Sequence, residues 1–137
     1  MALNTVFASS DNLREIWPVA SEISAGTPLI NNTRAGVALT DSGGKTRSVT
    51  FGPYTLSGIP SGGVGLKALE VTVATDGTFE FASVTGYTTA ATQGTPVYIT
   101  SGGALTMTST SNTLFGWVNY PEGYIKSNSK TPVKIGI

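Results

Sequence analysis

Apolar and polar positions alternate with a period of two through much of the chain, which predicts half-buried β-strands rather than helices. The clearest case is Leu69-Glu-Val-Thr-Val-Ala-Thr75, then Asp76-Gly77, then Thr78-Phe-Glu-Phe-Ala-Ser-Val84. A two-residue loop at Asp76-Gly77 would set Val73 opposite Glu80 and divide the apolar residues between two faces. A three-residue loop, Thr75-Asp76-Gly77, sets Val73 opposite Phe79 and Val71 opposite Phe81, giving one apolar face. The prediction is therefore a hairpin closed by a type I turn, with Gly77 left-handed in a bulge. The same test on Pro96-Val-Tyr-Ile-Thr100, Ser101-Gly102-Gly103 and Ala104-Leu-Thr-Met-Thr108 pairs Ile99 with Leu105 and Val97 with Met107. Tyr98 and Thr106 then share the opposite face.

Further along, Thr113-Leu-Phe-Gly-Trp-Val-Asn-Tyr120 is apolar on both faces, which predicts a strand covered on both sides or lying at an interface. Tyr120-Pro-Glu-Gly123 breaks it, and the terminal Val133-Lys-Ile-Gly-Ile137 places Val133, Ile135 and Ile137 on a core face. Upstream, Gly36–Thr40 and Thr46–Phe51 flank Asp41-Ser-Gly-Gly44 as strand, turn and strand. From Gly52 to Leu66 glycine and proline are too dense for an assignment, and a long mobile loop is expected. Leu13, Ile16 and Trp17 have the spacing of one helical turn behind a Ser10-Asp11 cap, but Pro18 would stop it, so strand and helix both remain open. Gly26-Thr-Pro-Leu-Ile30 is echoed by Gly94-Thr-Pro-Val-Tyr98. Each Pro can open a strand there without losing a ladder bond, and chance recurrence in a Thr-rich chain is the plain alternative.

Length and composition narrow the class. At 137 residues the chain has the size of one domain, able to bury roughly two-thirds of its unfolded surface. The expected division is an amino-terminal arm, residues 1–12, before a single β-domain, residues 13–137. Seventeen glycines and seven prolines disfavour long helices. Charged residues make up 12% and cancel at eight of each sign, so no broad field gathers phosphate backbones or anionic lipid. No nucleic-acid partner is expected. No apolar run approaches the ~18 residues of a spanning helix, so no membrane is expected either. The amino terminus lacks the positive start of a signal peptide.

Histidine and cysteine are both absent, which removes the commonest general base, metal ligand and soft nucleophile. Neither a cofactor nor a metal is expected. Glu70 and Glu80, neighbours on the polar face of the expected hairpin, are the best paired carboxylates, and solvated strand residues that discourage edge pairing are the simpler reading. Ser42-Gly-Gly-Lys45 and Ser127-Asn-Ser-Lys130 match Ser-x-x-Lys. The chemistry needs the amine and hydroxyl one helical turn apart, whereas Gly43-Gly44 imposes a turn. Gly62-Gly-Val-Gly-Leu-Lys67 lacks the Gly-Lys-Ser/Thr ending of a phosphate loop. Trp17, Tyr54, Tyr87, Trp117 and Tyr124 are dispersed, and packing is the favoured role for most.

From Gly94 to the end, a family pattern emerges: Gly-Thr-Pro-Val-Tyr98, a Gly-Gly turn, Leu105-Thr-Met-Thr108, Ser111-Asn-Thr-Leu-Phe-Gly-Trp-Val118 and Val133-Lys-Ile-Gly-Ile137. Ser24-Ala-Gly-Thr-Pro-Leu-Ile30, Ala35-Gly-Val-Ala-Leu-Thr-Asp41 and Asp76-Gly-Thr-Phe-Glu-Phe81 precede it in the same order. The chain thereby resembles, from about Leu13 onward, the small capsid decoration (cement) proteins of tailed bacteriophages. It departs from them by a longer middle, Gly52 to Leu66, and by the Asn119 to Thr131 segment. The resemblance implies an all-β fold, a compact β-barrel or β-tulip of short antiparallel strands; the extended amino-terminal arm expected before Leu13 lies outside the match. It also implies a non-enzymatic structural role on the outer surface of the virion capsid, with the major capsid protein as partner and a homotrimer as the assembly. Leu3, Val6 and Phe7 of the arm are the expected capsid contacts, and Phe115, Trp117 and Tyr120 the expected subunit interface. A β-rich adhesin or fibre module binding host glycans is the alternative.

Overall fold

Most of the alternating segments become strands, but their partners differ from those that tight turns would choose. The computed structural model describes residues 14–136. In chain order the strands are β1 (Arg14–Pro18), β2 (Pro28–Asn31), β3 (Arg34–Ala38), β4 (Thr46–Phe51), β5 (Tyr54–Pro60) and β6 (Glu70–Ala74). There follow β7 (Gly77–Phe81), β8 (Val84–Thr85), β9 (Pro96–Ile99), β10 (Leu105–Thr106), β11 (Thr113–Val118) and β12 (Thr131–Ile135). No helix occurs among the described residues. A four-stranded sheet runs β1-β6-β3-β2, a curled six-stranded sheet runs β7-β12-β11-β9-β10-β8, and β4-β5 form a sheet of two. The fold is all-β and compact, and among the named strands only the β10–β8 pair is parallel.

The hairpin expected over 69–84 does not form. Strand β6 lies between β1, with Trp17 opposite Val71, and β3, with Val37 opposite Ala74. Strand β7 joins the other sheet against β12, with Val133 opposite Phe79 and Thr131 opposite Phe81. Two neighbours for β6 satisfy more backbone groups than one tight turn would, and the alternation suits either arrangement because it fixes faces, not partners. The faces are as expected: Val71 and Val73 are fully buried, as is nearly all of Phe81. Gly77 has a positive φ of 127°, yet it opens a strand instead of closing a turn. Similarly, β3 and β4 do not pair with each other. Residues 14–18 are strand, settling the choice left open there, and Pro18 ends an edge strand, where a missing N–H does no harm.

The 96–108 segment follows the predicted register at the turn, with Ile99 opposite Leu105 and Thr106 opposite Tyr98. Thr100 N–H donates to the Ala104 carbonyl at 2.8 Å, and Gly103 takes the left-handed conformation with φ 88°. The strand ends at Thr106, so Val97 meets Gly116 across β11 rather than Met107.

The Gly-Thr-Pro echo is a structural repeat. Pro28 opens β2 and Pro96 opens β9, after Gly26 and Gly94 with φ 86° and 85°. In each copy the threonine hydroxyl donates to the carbonyl three residues back at 2.7 Å. In each, one residue of the adjacent strand bonds both sides of the turn: Ala38 accepts from Gly26 and donates to Thr27, and Val118 accepts from Gly94 and donates to Thr95.

Two clusters make the core. Val97, Ile99, Leu105, Phe115, Val118, Val133 and Ile135 fill the six-stranded sheet, and Trp17, Ala38, Val71 and Val73 fill the four-stranded one. Strand β3 bridges them, sending Val37 into the first and Ala38 into the second. A Cβ on Gly36 would meet Val73 at 2.3 Å and the Trp17 ring at 2.8 Å, so the indole requires glycine beneath it. In β11 a bulge between Leu114 and Gly116 adds one residue, and Phe115 turns into the core against Phe81, ring centroids 5.8 Å apart and nearly perpendicular. Leu114 and Trp117 therefore share the opposite face with their partners Tyr98 and Pro96, which explains the strand's two-sided apolar pattern.

Candidate interaction surface

Residues 46–60, the first part of which was expected as a strand and the rest as loop, form one amphipathic ribbon. Phe51 pairs with Tyr54, Val49 with Leu56 and Arg47 with Ile59, so these six side chains share one face. Threonine and serine take the other, and Thr50 and Thr55 lie with their hydroxyls 3.3 Å apart. Gly52, with φ 56°, supplies the left-handed first position of the two-residue loop, and Pro53 follows it. A bulge at Ser57-Gly58, with Gly58 at φ 73°, shifts the register before Ile59. That extra residue reverses the alternation within β5, which is why the sequence pattern broke off there.

Among the described residues nothing covers the outer part of the ribbon's apolar face. Phe51, Tyr54 and Leu56 are 59%, 74% and 57% exposed, whereas Val49 and Ile59 nearer the base are half-buried. The base, by contrast, is tightly held. Ser61 N–H donates to the Lys45 carbonyl at 2.9 Å, and Asp41 bridges to Gly62. A Cβ on Gly43 would stand 1.9 Å from the Lys67 carbonyl oxygen, and one on Gly62 2.6 Å from that of Ser42. The Asp41 carboxylate accepts from Ala25 N–H at 2.9 Å. That bond, the Ser61 hydroxyl, and the Lys45 and Arg47 charges hold its acid below the ordinary aspartate range.

A second feature surrounds Tyr120. Its hydroxyl donates to the Ala91 carbonyl at 2.8 Å and meets the Tyr87 hydroxyl at 3.0 Å. Its backbone N–H donates to Gln93 at 2.6 Å, and the Lys126 ammonium lies 4.1 Å from its ring centroid. Burial, then the Tyr120 hydroxyl, push the Tyr87 phenol well above its ordinary value; burial and the Glu80 carboxylate raise Tyr124. The hydrogen bonds fasten Tyr120 to residues 87–93, the connection between β8 and β9.

The residues singled out from the sequence are dispersed. Phe115 is 2% exposed inside the subunit, so it has no surface to offer a neighbour: its expected place at a subunit interface gives way to a core role created by the β11 bulge. Trp117 is half-buried in a groove of about 400 Å³ shared with Leu114 and the β2–β3 turn, and Tyr120 is half-buried in the tyrosine network. Leu3, Val6 and Phe7 lie outside the described residues. Glu70 and Glu80 are not brought together, since β6 and β7 belong to different sheets. Glu70 accepts from Lys67 N–H at 2.9 Å, and Glu80 lies 3.5 Å from Lys130. Ser42 is buried with its hydroxyl on the Ile23 backbone, while the Lys45 ammonium reaches Ser24 and Asp41. Neither Ser-x-x-Lys match therefore forms an amine–hydroxyl dyad, Lys130 being turned to Glu80. Among the described residues no group of three or more carboxylates is placed to hold a metal ion.

Comparison of the chain with protein-family models, with curated proteins and with solved structures finds no match.

Proposed function

We propose that the chain is a structural, surface-binding protein, and specifically a capsid decoration protein that binds the outside of an expanded tailed-phage head alongside the major capsid protein. The observation that carries the surface-binding reading is the ribbon: an apolar face on a tightly held base, left without cover among the described residues. Two-stranded hairpins are marginal in water when nothing packs on them, and exposed contiguous apolar surface marks interaction sites. The capsid as partner rests on the ordered motifs from Ser24 to Ile137 that resemble the decoration family. A neutral, hydroxyl-rich surface suits dense packing on a shell, where charged copies would repel one another.

The test is binding of the purified chain to expanded phage heads assembled without it. Saturable occupancy at regular surface density, with raised resistance of the heads to heat, is expected. No occupancy at micromolar protein would overturn the proposal, and binding on a glycan array instead would assign the chain to the fibre-module class.

A further inference from the structure

We infer that the chain is a fused pair of one four-stranded unit, residues 14–74 and 77–135, and that the β4–β5 ribbon is an insertion into the first copy that the fold does not need. Each unit has its first strand on an edge, its fourth beside it, then its third and its second: β1-β6-β3-β2 in one copy, β7-β12-β11-β9 in the other. All of these neighbours are antiparallel.

Strand order alone could recur by chance, but the registers agree residue by residue. With Val73 matched to Val133, the pairing of first and fourth strands makes Trp17, opposite Val71, the counterpart of Phe81, opposite Thr131. The pairing of fourth and third makes Ala38, opposite Val73, the counterpart of Val118, opposite Val133. The pairing of third and second makes Leu29, opposite Gly36, the counterpart of Val97, opposite Gly116. A slip of one residue in any ladder would break the correspondence and turn an apolar set to the wrong face. Packing corresponds as well. A Cβ on Gly36 would meet the Val73 side chain at 2.3 Å, and one on Gly116 would meet that of Val133 at 2.9 Å. In both copies, then, a fourth-strand valine fills the space over a third-strand glycine. Just past the third strand, Leu39 N–H donates to the Thr72 carbonyl at 2.8 Å and Asn119 N–H to that of Pro132 at 3.0 Å. The doubled Gly-Thr-Pro turn is one part of a repeat that runs through all four strands.

The copies differ in what joins their strands. The second adds β8 and β10, which extend its sheet, and Leu105 of β10 is buried in the core. The first adds the ribbon between its third and fourth strands, residues 39–69 standing where the second copy has 119–130. Neither core cluster contains a residue of 46–60. The ribbon is also pinched at its root, where Thr46 pairs with Pro60 and Ser61 N–H donates to the Lys45 carbonyl at 2.9 Å. The same carbonyl-to-amide bond closes a two-residue hairpin loop, so Lys45 and Ser61 stand close enough to be joined by Asn-Gly in place of the ribbon. Fold and exposed aromatic face are thereby separable, whatever partner meets that face.

Excision tests this in the otherwise complete chain. Residues 46–60 are replaced by Asn-Gly and, in a parallel variant, by a four-residue Gly-Ser linker, so that strain in one turn is not mistaken for a missing element. At least one variant should melt cooperatively within about 10 °C of the wild type, with the β6 and β12 amides as protected from exchange as before. A larger fall in both, or loss of cooperative melting in both, would overturn the insertion. Thr27→Val and Thr95→Val test the correspondence of the copies, each removing a hydroxyl that donates to the carbonyl three residues back at 2.7 Å. The two should lower the melting midpoint equally, to within about 2 °C. A fall confined to one of them would overturn the duplication.

Discussion

Hairpin β9–β10 and ribbon β4–β5 are built from the same alternation of apolar and hydroxyl side chains, yet one face is in the core and the other in solvent. Val97, Ile99 and Leu105 are no more than 3% exposed, whereas Phe51, Tyr54 and Leu56 are all above 55%. The first pair has a third strand, β11, beside it and Phe115 among its core neighbours; the second has neither. Alternation states that a face is to be covered, and the rest of the chain decides by what. Where the described residues supply no cover, as over Phe51, Tyr54 and Leu56, the face stays in solvent.

Substitutions on the two sides of this comparison should differ in kind. Phe115→Ala, on the covered side, removes the ring packed on Phe81 and is expected to cost about 3–5 kcal/mol, read as a lower denaturation midpoint in urea. Gly116→Ala follows at about 1–3 kcal/mol, because its Cβ would meet the Lys134 carbonyl oxygen at 2.3 Å; thermal melting measures it. Tyr120→Phe removes the hydroxyl shared with Tyr87 and Ala91 and should cost about 1–2 kcal/mol. The same variant should lower the pH at which Tyr87 ionises, followed by absorbance near 295 nm. Since Tyr87 is raised in the fold, its contribution is complete below the ordinary tyrosine value near 10 and is lost as pH rises above it. The wild type should therefore weaken at alkaline pH, and the variant's added loss should be smaller. Phe51→Ser with Tyr54→Ser, on the uncovered side, should change stability by no more than about 0.5 kcal/mol. A large loss from the ribbon substitutions would break the comparison.

Which residues face inward was largely legible in the sequence; which strands are neighbours was not. Val71, Val73, Phe81, Ile99, Val133 and Ile135 are buried as their alternation requires, and the Ser101-Gly102-Gly103 turn kept its register because left-handed Gly103 fixes it locally. The same logic failed at Thr75-Asp76-Gly77, where partners distant in sequence, β1, β3 and β12, compete successfully for the two strands. The ribbon was hidden by one bulge: Ser57-Gly58 puts Leu56 and Ile59 on the same face at odd spacing. A bulge also misplaced Phe115, which by simple parity belongs beside Trp117. In both cases one extra residue, invisible to a period of two, moved an apolar side chain from one surface to the other.

Whether the ribbon is completed by another molecule is tested most directly by amide hydrogen exchange over residues 46–60. In dilute protein those amides should exchange quickly while β9, β11 and β12 stay protected. Binding to expanded heads should then protect the ribbon, and Phe51→Ser with Tyr54→Ser should abolish that gain. Ribbon amides as slow as those of β11 in dilute protein, or equally fast free and on heads, would contradict completion by a partner.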